Sequence, residues 1–436
     1  MSVRSEYAAK LVDPATAVSH VHDGDTIVVP IGAGEPPTLL EALSARRHEL
    51  RKVTVFQLLA IRDYDYFDPD TVENIRHATP FVGGASRRAV NEGWADFVPA
   101  HFSELPGLIR SGQLSSDVVF AQCSPMDEHG FFALGLSTDY TLAAVSRART
   151  IVLEVNDQLP FTFGNCHVHV SKVAAVVESE HPVVTLPSAQ VGDVEKAIAR
   201  NVADLIPDGA TLQIGIGGIP DAVVAQLMSK NDLGLHTEML GDGPLALIEA
   251  GVVTNNEKNV NRGKAVATFA LGSEKLYEWM NRNPAIEMRP VDEVNAPPIA
   301  ALNDNLHSIN STMAIDLMGQ CASEGVGSRA YSGTGGQFDF IRAANISKGG
   351  RSIIAVPSTA KGGTLSTILV SHAPGTPVTA LRSDVNYVCT EFGTAKLRGA
   401  SLHERAEQLI SIAHPDFRDQ LTEQAKELRV LHPGSR

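Results

Sequence analysis

The 436-residue sequence holds only four cysteines, Cys123, Cys166, Cys321 and Cys389, and no two of them form a Cys-x-x-Cys pair. Isolated thiols of this kind argue against a zinc ribbon or a disulfide framework and read as buried side chains in a reducing compartment. No run approaches the ~20 apolar residues that a membrane-spanning helix requires. Met1 to Glu6 lack the apolar stretch of a signal peptide, so a soluble, cytoplasmic protein is expected. The pattern Gly-x-x-x-x-Gly-Lys-Ser/Thr is missing throughout, which disfavours a P-loop nucleotidase. Positive charge is in deficit: 36 Lys and Arg face 50 Asp and Glu, a formal net charge of −14. That balance argues against broad contact with a nucleic-acid backbone. An anionic small molecule must instead be held locally, by backbone amides or a few placed cations.

Apolar material is plentiful, at 43% hydrophobic residues against 20% charged. This is enough to bury substantial cores and excludes disorder over most of the chain. At ~150 residues per domain the length suggests two or three domains. Short β-branched runs recur at Thr26–Val29, Val118–Ala121, Ile151–Val155, Thr211–Ile214 and Ile353–Val356, with helix-like spacing between them, as at Leu39, Leu40 and Leu43. Such runs suit strands buried on both faces of a mostly parallel sheet, which is the α/β class. Pro415 to Leu428 reads as a closing helix, with Phe417, Leu421, Ala425 and Leu428 on one face.

An internal repeat organises these elements. Asp23-Gly24-Asp25-Thr26-Ile27-Val28-Val29-Pro30-Ile31-Gly32 resembles Asp208-Gly209-Ala210-Thr211-Leu212-Gln213-Ile214-Gly215-Ile216-Gly217, and Pro36 and Leu43 correspond to Pro220 and Leu227. A weaker echo sets Asp127-Glu128-His129-Gly130 against Asp316-Leu317-Met318-Gly319. Two similarly folded α/β domains are expected, residues 1–185 and 186–436, with loop signals between His181 and Val191.

Gly215-Ile216-Gly217-Gly218-Ile219-Pro220 follows a predicted strand and opens a predicted helix, so its N–H groups can face an anion. The matching loop from Gly32 reads equally as a plain turn. A dinucleotide fingerprint wants a third glycine where Pro220 stands, although Glu238 falls near the ~20-residue distance of a ribose carboxylate. Further glycine-rich clusters run from Tyr331 to Phe340 and from Ser358 to Thr364; the second carries Lys361, and both suit either an anion cradle or an ordinary loop. Cys166-His167-Val168-His169 offers two imidazoles without a completing ligand, and His129 reads as a loop hydrogen-bonding residue, so no metal is expected. Glu238, in Leu235-His236-Thr237-Glu238-Met239-Leu240-Gly241, is a carboxylate near a glycine loop that could act as nucleophile or base. Spacing alone does not single it out among 50 acidic residues.

Taken in order, the runs Gly215–Ala222, His236–Met239, Arg289–Asn295, Tyr331–Phe340 and Pro357–Gly363 resemble the acetyl-CoA hydrolase/transferase family, and within it the 4-hydroxybutyrate CoA-transferase-like members. The similarity extends from Asp23-Gly24 to His414-Pro415-Asp416-Phe417-Arg418. The resemblance implies two related open α/β domains of the NagB/CoA-transferase-like kind with the active site between them. It implies that Glu238 is the nucleophile, forming a glutamyl-CoA thioester, with Asn295 and the Gly336 N–H beside the chemistry. Gly215, Ile216, Gly217, Gly218, Ile219, Ser332, Gly336 and Lys361 would contact CoA. The implied activity is transfer of CoA between short-chain acids such as acetate, butyrate or 4-hydroxybutyrate. Coenzyme A or acyl-CoA is then a substrate, with no permanently bound cofactor. The implied partners are acyl-CoA and small carboxylates, with no nucleic acid or membrane, in a homodimer or homotetramer. The alternatives are an acyl-CoA hydrolase, in which water resolves the intermediate, and, more distantly, a non-catalytic CoA- or nucleotide-binding regulator.

Overall fold

The computed structural model describes residues 2–187 and 189–432. By its contacts the chain divides into two compact units. The first comprises Met1–Pro187, Glu238–Leu240 and Ala265–Val294; the second comprises Ser188–Thr237, Gly241–Lys264 and Asn295–Arg436. The first division falls after Pro187, and two later segments, Glu238–Leu240 and Ala265–Val294, return to the first unit.

The first unit is built on seven strands: β1 (Thr26–Val29), β2 (Val53–Gln57), β3 (Ile75–Thr79), β4 (Asp96–Phe97), β5 (Val118–Cys123), β6 (Thr150–Val155) and β7 (Ala175–Glu178). They lie in the order β7-β6-β5-β1-β2-β3-β4, with every pairing parallel. Alternate residues of β1 enter different cores. Val28 packs with Phe56, Val119, Leu153 and Tyr140, whereas Ile27 and Val29 pack with Leu39, Leu40, Leu43, Val55 and Phe120. Cover on both faces explains why these strands read as unbroken apolar runs. Leu39, Leu40 and Leu43 reach that second core from helix α1 (Pro37–Ala45), where each is fully buried.

The second unit carries β8 (Thr211–Ile214), β9 (Gly234–Leu235), β10 (Leu306–Asn310), β11 (Arg351–Ala355), β12 (Tyr387–Thr390) and β13 (Gly393–Lys396), in the order β9-β8-β10-β11-β12-β13. All pairs are parallel except the terminal hairpin β12–β13. Helix α2 (Gly218–Leu227) follows β8, and α3 (Gln337–Ile346) precedes β11. The closing helix α4 spans Pro415–Glu427 and buries Leu421 and Ala425. Leu428, expected on the same face, is 56% exposed at the C-cap position.

The repeat is visible bond for bond. Asp23 Oδ1 accepts from the Arg51 N–H at 2.8 Å while the Gly24 N–H donates to the Arg51 carbonyl. Asp208 Oδ1 accepts from the Asn231 N–H at 2.8 Å while the Gly209 N–H donates to the Asn231 carbonyl. The weaker echo holds as well. Asp127 Oδ1 accepts from the N–H groups of His129 and Phe131, and Asp316 Oδ1 from those of Met318 and Gln320. His129 thus joins its loop through the backbone, with its exposed ring 3.5 Å from Glu128.

Each sheet reverses strand order beside its first strand, between β1 and β5 in one unit and between β8 and β10 in the other. In open α/β sheets ligands bind outside the carboxyl ends of strands at such switch points. The loop after β1 is closed there. Gly32–Gly34 form a buried 3₁₀ turn, and a Cβ on Gly34 would lie 2.6 Å from Ser137 Cβ. The Glu35 carboxylate fills what remains, accepting from Gln57 Nε2 at 2.8 Å, Tyr64 Oη at 2.7 Å, and the N–H groups of Ile61 and Arg62. Burial raises the Glu35 pKa, and these donors act against that rise. The loop after β8 is open: a Cβ on Gly215 or Gly217 would meet nothing within 4 Å.

Candidate functional site

β8 ends at Ile214, and Gly215, Ile216 and Gly217 carry the chain into α2. Gly217 is the N-cap, at φ 115°, a conformation that a Cβ would make costly. Ile216 is exposed and Ile219 is buried. Pro220 lies within the first turn of α2, where a missing N–H costs no helical hydrogen bond. The position that breaks a dinucleotide fingerprint is therefore a helix-start residue here. One residue on, Asp221 accepts from the Ala189 N–H at 3.3 Å. Its pKa is raised by burial and, less, by Asp242.

The neighbouring strand β9 leads to Glu238. Thr237 ties the two strand ends together. Its hydroxyl donates to the Ile214 carbonyl at 3.1 Å and accepts from the Ile214 N–H at 3.3 Å. The residue before it, His236, is buried, with its ring centroid 6.4 Å from that of Phe340. Phe340 lies one turn into α3, whose N-cap is Gly336. Backbone amides and partial positive charge gather at helix N-termini. The strand end before Glu238 is thus in contact with the strand that feeds Gly215 and the helix that starts at Gly336.

Glu238 itself is partly buried. Its carbonyl accepts from the N–H groups of Thr268 (3.0 Å) and Phe269 (3.2 Å), and Met239–Leu240 pair in parallel with Phe269–Ala270. The backbone at and after Glu238 is therefore held by its own hydrogen bonds. Asn295 is fully buried and opens the last segment of the second unit. It does not cap the short helix Pro297–Ala300, whose N-cap is Ala296 without a side-chain bond; that helix packs on α3. Ser332 donates to the Ser323 carbonyl at 2.7 Å. Lys361 is exposed on the turn between two short antiparallel strands, with Lys361, Gly362 and Gly363 in succession at positive φ. Among the described residues neither Ser332 nor Lys361 is hydrogen-bonded to Gly215, Thr237 or Gly336.

The cysteines do not compete for the role of nucleophile. All four are free and buried, and burial pushes the Cys166 thiol up to about 12 and Cys389 to about 11. Among the described residues no three His, Cys, Asp or Glu side chains gather as a metal site. None of the described helices is long and apolar enough to cross a membrane. No recognisable motif in the sequence assigns Thr237 a role. Its signal is positional: a hydroxyl next to a carboxylate, directly after a short buried strand.

Profiles of the acetyl-CoA hydrolase/transferase N-terminal and C-terminal domains match residues 1–187 and 272–425. The succinyl-CoA:cyclohexane-1-carboxylate CoA transferase of Geobacter metallireducens is 48% identical, over 99% of this chain and 98% of its own length. The 4-hydroxybutyrate coenzyme A transferase of Clostridium kluyveri is 44% identical, over 96% of this chain and 98% of its own. The crystal structure of RipA from Yersinia pestis, 40% identical, superposes with a TM-score of 0.93 over 99% of this chain and 100% of that one. The chain is an enzyme of the acetyl-CoA hydrolase/transferase family.

Proposed function

We propose that this enzyme moves coenzyme A between short-chain carboxylic acids, of the acetate, butyrate or 4-hydroxybutyrate type, through a thioester on Glu238. The observation that carries this reading is the setting of Glu238: a partly buried glutamate on a hydrogen-bonded backbone, directly after a residue bonded to the end of β8. The named activities of the relatives support the class of reaction.

In this reading a Glu238 oxygen attacks the acyl-CoA carbonyl, the C–S bond breaks, and a mixed anhydride and CoA thiolate result. The thiolate attacks the glutamyl carbonyl, releasing the donor acid and leaving glutamyl-CoA. An acceptor carboxylate then attacks the glutamyl carbonyl and displaces the thiolate, which attacks the new acyl carbonyl and restores Glu238. The thioester bond is conserved, so neither ATP nor a resident cofactor is needed. Each tetrahedral intermediate bears an oxyanion, for which the Gly336 N–H and the Asn295 carboxamide are the proposed donors. Gly215 to Ile219, Ser332 and Lys361 are the proposed contacts of CoA.

The two copies of the glycine loop separate binding from folding. Gly215→Ala is expected to melt like the unsubstituted protein while raising KM for acyl-CoA by about 5–10-fold, since the new methyl fills open space. Gly34→Ala must displace Ser137 and is expected to cost about 1–3 kcal/mol in urea unfolding.

Mass spectrometry after incubation with acyl-CoA and hydroxylamine or borohydride tests the intermediate. The expected result is modification of the peptide bearing Glu238; modification elsewhere or nowhere sinks the reading. A panel pairing acetyl-, butyryl-, 4-hydroxybutyryl- and succinyl-CoA with acetate, 4-hydroxybutyrate and cyclohexane-1-carboxylate ranks the acids. CoA release at the same rate without any acceptor acid identifies a hydrolase instead.

A further inference from the structure

We propose that Lys258 is a positioning residue for Glu238, its buried ammonium standing in, together with the Asn255 carboxamide, for a strand along the outer edge of β9. The proposal rests on the reading of Glu238 as nucleophile.

β9 is the edge strand of its sheet, with β8 on its inner side. Edge strands carry outward-pointing N–H and C=O groups that need partners when buried. At Leu235 both partners are side chains from the segment after Val252. The Leu235 N–H donates to Asn255 Oδ1 at 2.8 Å, and Lys258 Nζ donates to the Leu235 carbonyl at 2.8 Å. Lys258 Nζ also donates to the Lys264 carbonyl at 2.7 Å. Its ammonium therefore links the residue three before Glu238 to the last residue before Ala265, where the chain begins its second return to the first unit.

The arrangement is a built one. Lys258 is only 3% exposed, and a buried ammonium is costly unless hydrogen-bonded. Its stem lies across Gly234, where a Cβ would come within 2.7 Å of Lys258 Cγ. On the other side of the same strand end, Thr237 is bonded to Ile214. With Thr237 bonded to β8 on one side and Leu235 held by Lys258 and Asn255 on the other, the strand end before Glu238 has little room to shift.

Two substitutions test this. Lys258→Met keeps the stem and removes the donor. Asn255→Gly removes the other end of the bracket at a position with φ 59°, which glycine adopts freely. Both are expected to lower kcat by about 10–100-fold, with KM for acyl-CoA and acid unchanged within about threefold, because a reacting atom displaced by ~1 Å loses about 10²-fold. Rapid-quench mass spectrometry should show adduct formation on Glu238 slowed by the same factor, with the circular dichroism of the native protein. Adduct formation at the unsubstituted rate in a folded variant overturns the proposal. So does an activity loss equal to the unfolded fraction, or a rise in KM alone. Absence of a Glu238 adduct in the unsubstituted protein overturns the underlying reading, and the proposal with it.

Discussion

Glu238→Gln is expected to abolish CoA exchange, lowering kcat by at least about 10⁴-fold, while the protein still folds and still binds acyl-CoA. The carboxamide preserves the volume and one carbonyl oxygen of the side chain but has no anionic oxygen with which to open a thioester. Removal of a covalent nucleophile leaves only what binding and oxyanion donors contribute, and such losses are typically about 10⁴–10⁶-fold. The fold is expected to survive the change, because the Glu238 carbonyl and the pairing of Met239–Leu240 with Phe269–Ala270 hold the backbone here and are left in place. Glu238→Asp withdraws the carboxylate by one methylene and is expected to retain more activity, at a loss of about 10²-fold. Steady-state exchange into acetate measures both variants, and calorimetry with a non-transferable acyl-CoA analogue measures binding. A Glu238→Gln protein exchanging within tenfold of the original rate would show that another group forms the covalent bond.

Much of this scaffold could be read from local pattern. β1 and β8 coincide with their expected residues, and β5, β6 and β11 depart by no more than two at either end, because strands covered on both faces announce themselves as short apolar runs. The repeat was legible because Asp-Gly before a strand performs the same backbone task twice, at Arg51 and at Asn231. The open Gly215 loop was legible for a similar reason: glycine between a strand and a helix is a local signal. Which copy stays open was not. That depends on Ser137 and on the donors that Gln57, Ile61, Arg62 and Tyr64 offer to Glu35, all brought in by the fold. The return of Glu238–Leu240 and Ala265–Val294 to the first unit has no local signature, since it is decided by pairings such as Ile286–Met288 with Phe163–Gly164. Lys258 was invisible for the same reason. Nothing in Glu257-Lys258-Asn259 distinguishes a buried ammonium from a solvated one; only the edge of β9 does.

Acid should weaken the fold through two buried imidazoles, and replacing one of them should remove its share. His77 on β3 is 1% exposed, and among the described residues neither ring nitrogen has a hydrogen-bond partner; the edge-on Phe67 ring lies 4.8 Å away. Burial pulls its pKa down to about 3. His307 on β10 is fully buried, with Nδ1 2.8 Å from the Asn305 carbonyl, and burial lowers it to about 4 against that hydrogen bond. With an unfolded value of 6.5, each imidazole takes up a proton on unfolding that the native state refuses. Stability from this source is complete above about pH 7 and declines as pH falls, by about 2 kcal/mol per histidine at pH 5. Asp139 opposes this. Burial raises it to about 6, so between its unfolded value of 3.8 and that point the native state binds the extra proton and gains as pH falls. The wild-type pH curve is a sum of both senses, and only a difference isolates one. His77→Leu is therefore expected to match or exceed the original protein at pH 7.5 and to lose about 2 kcal/mol less between pH 7.5 and pH 5, read as urea midpoints at the two values. Equal losses in both proteins would mean that His77 is protonated in the native core and has found an acceptor there.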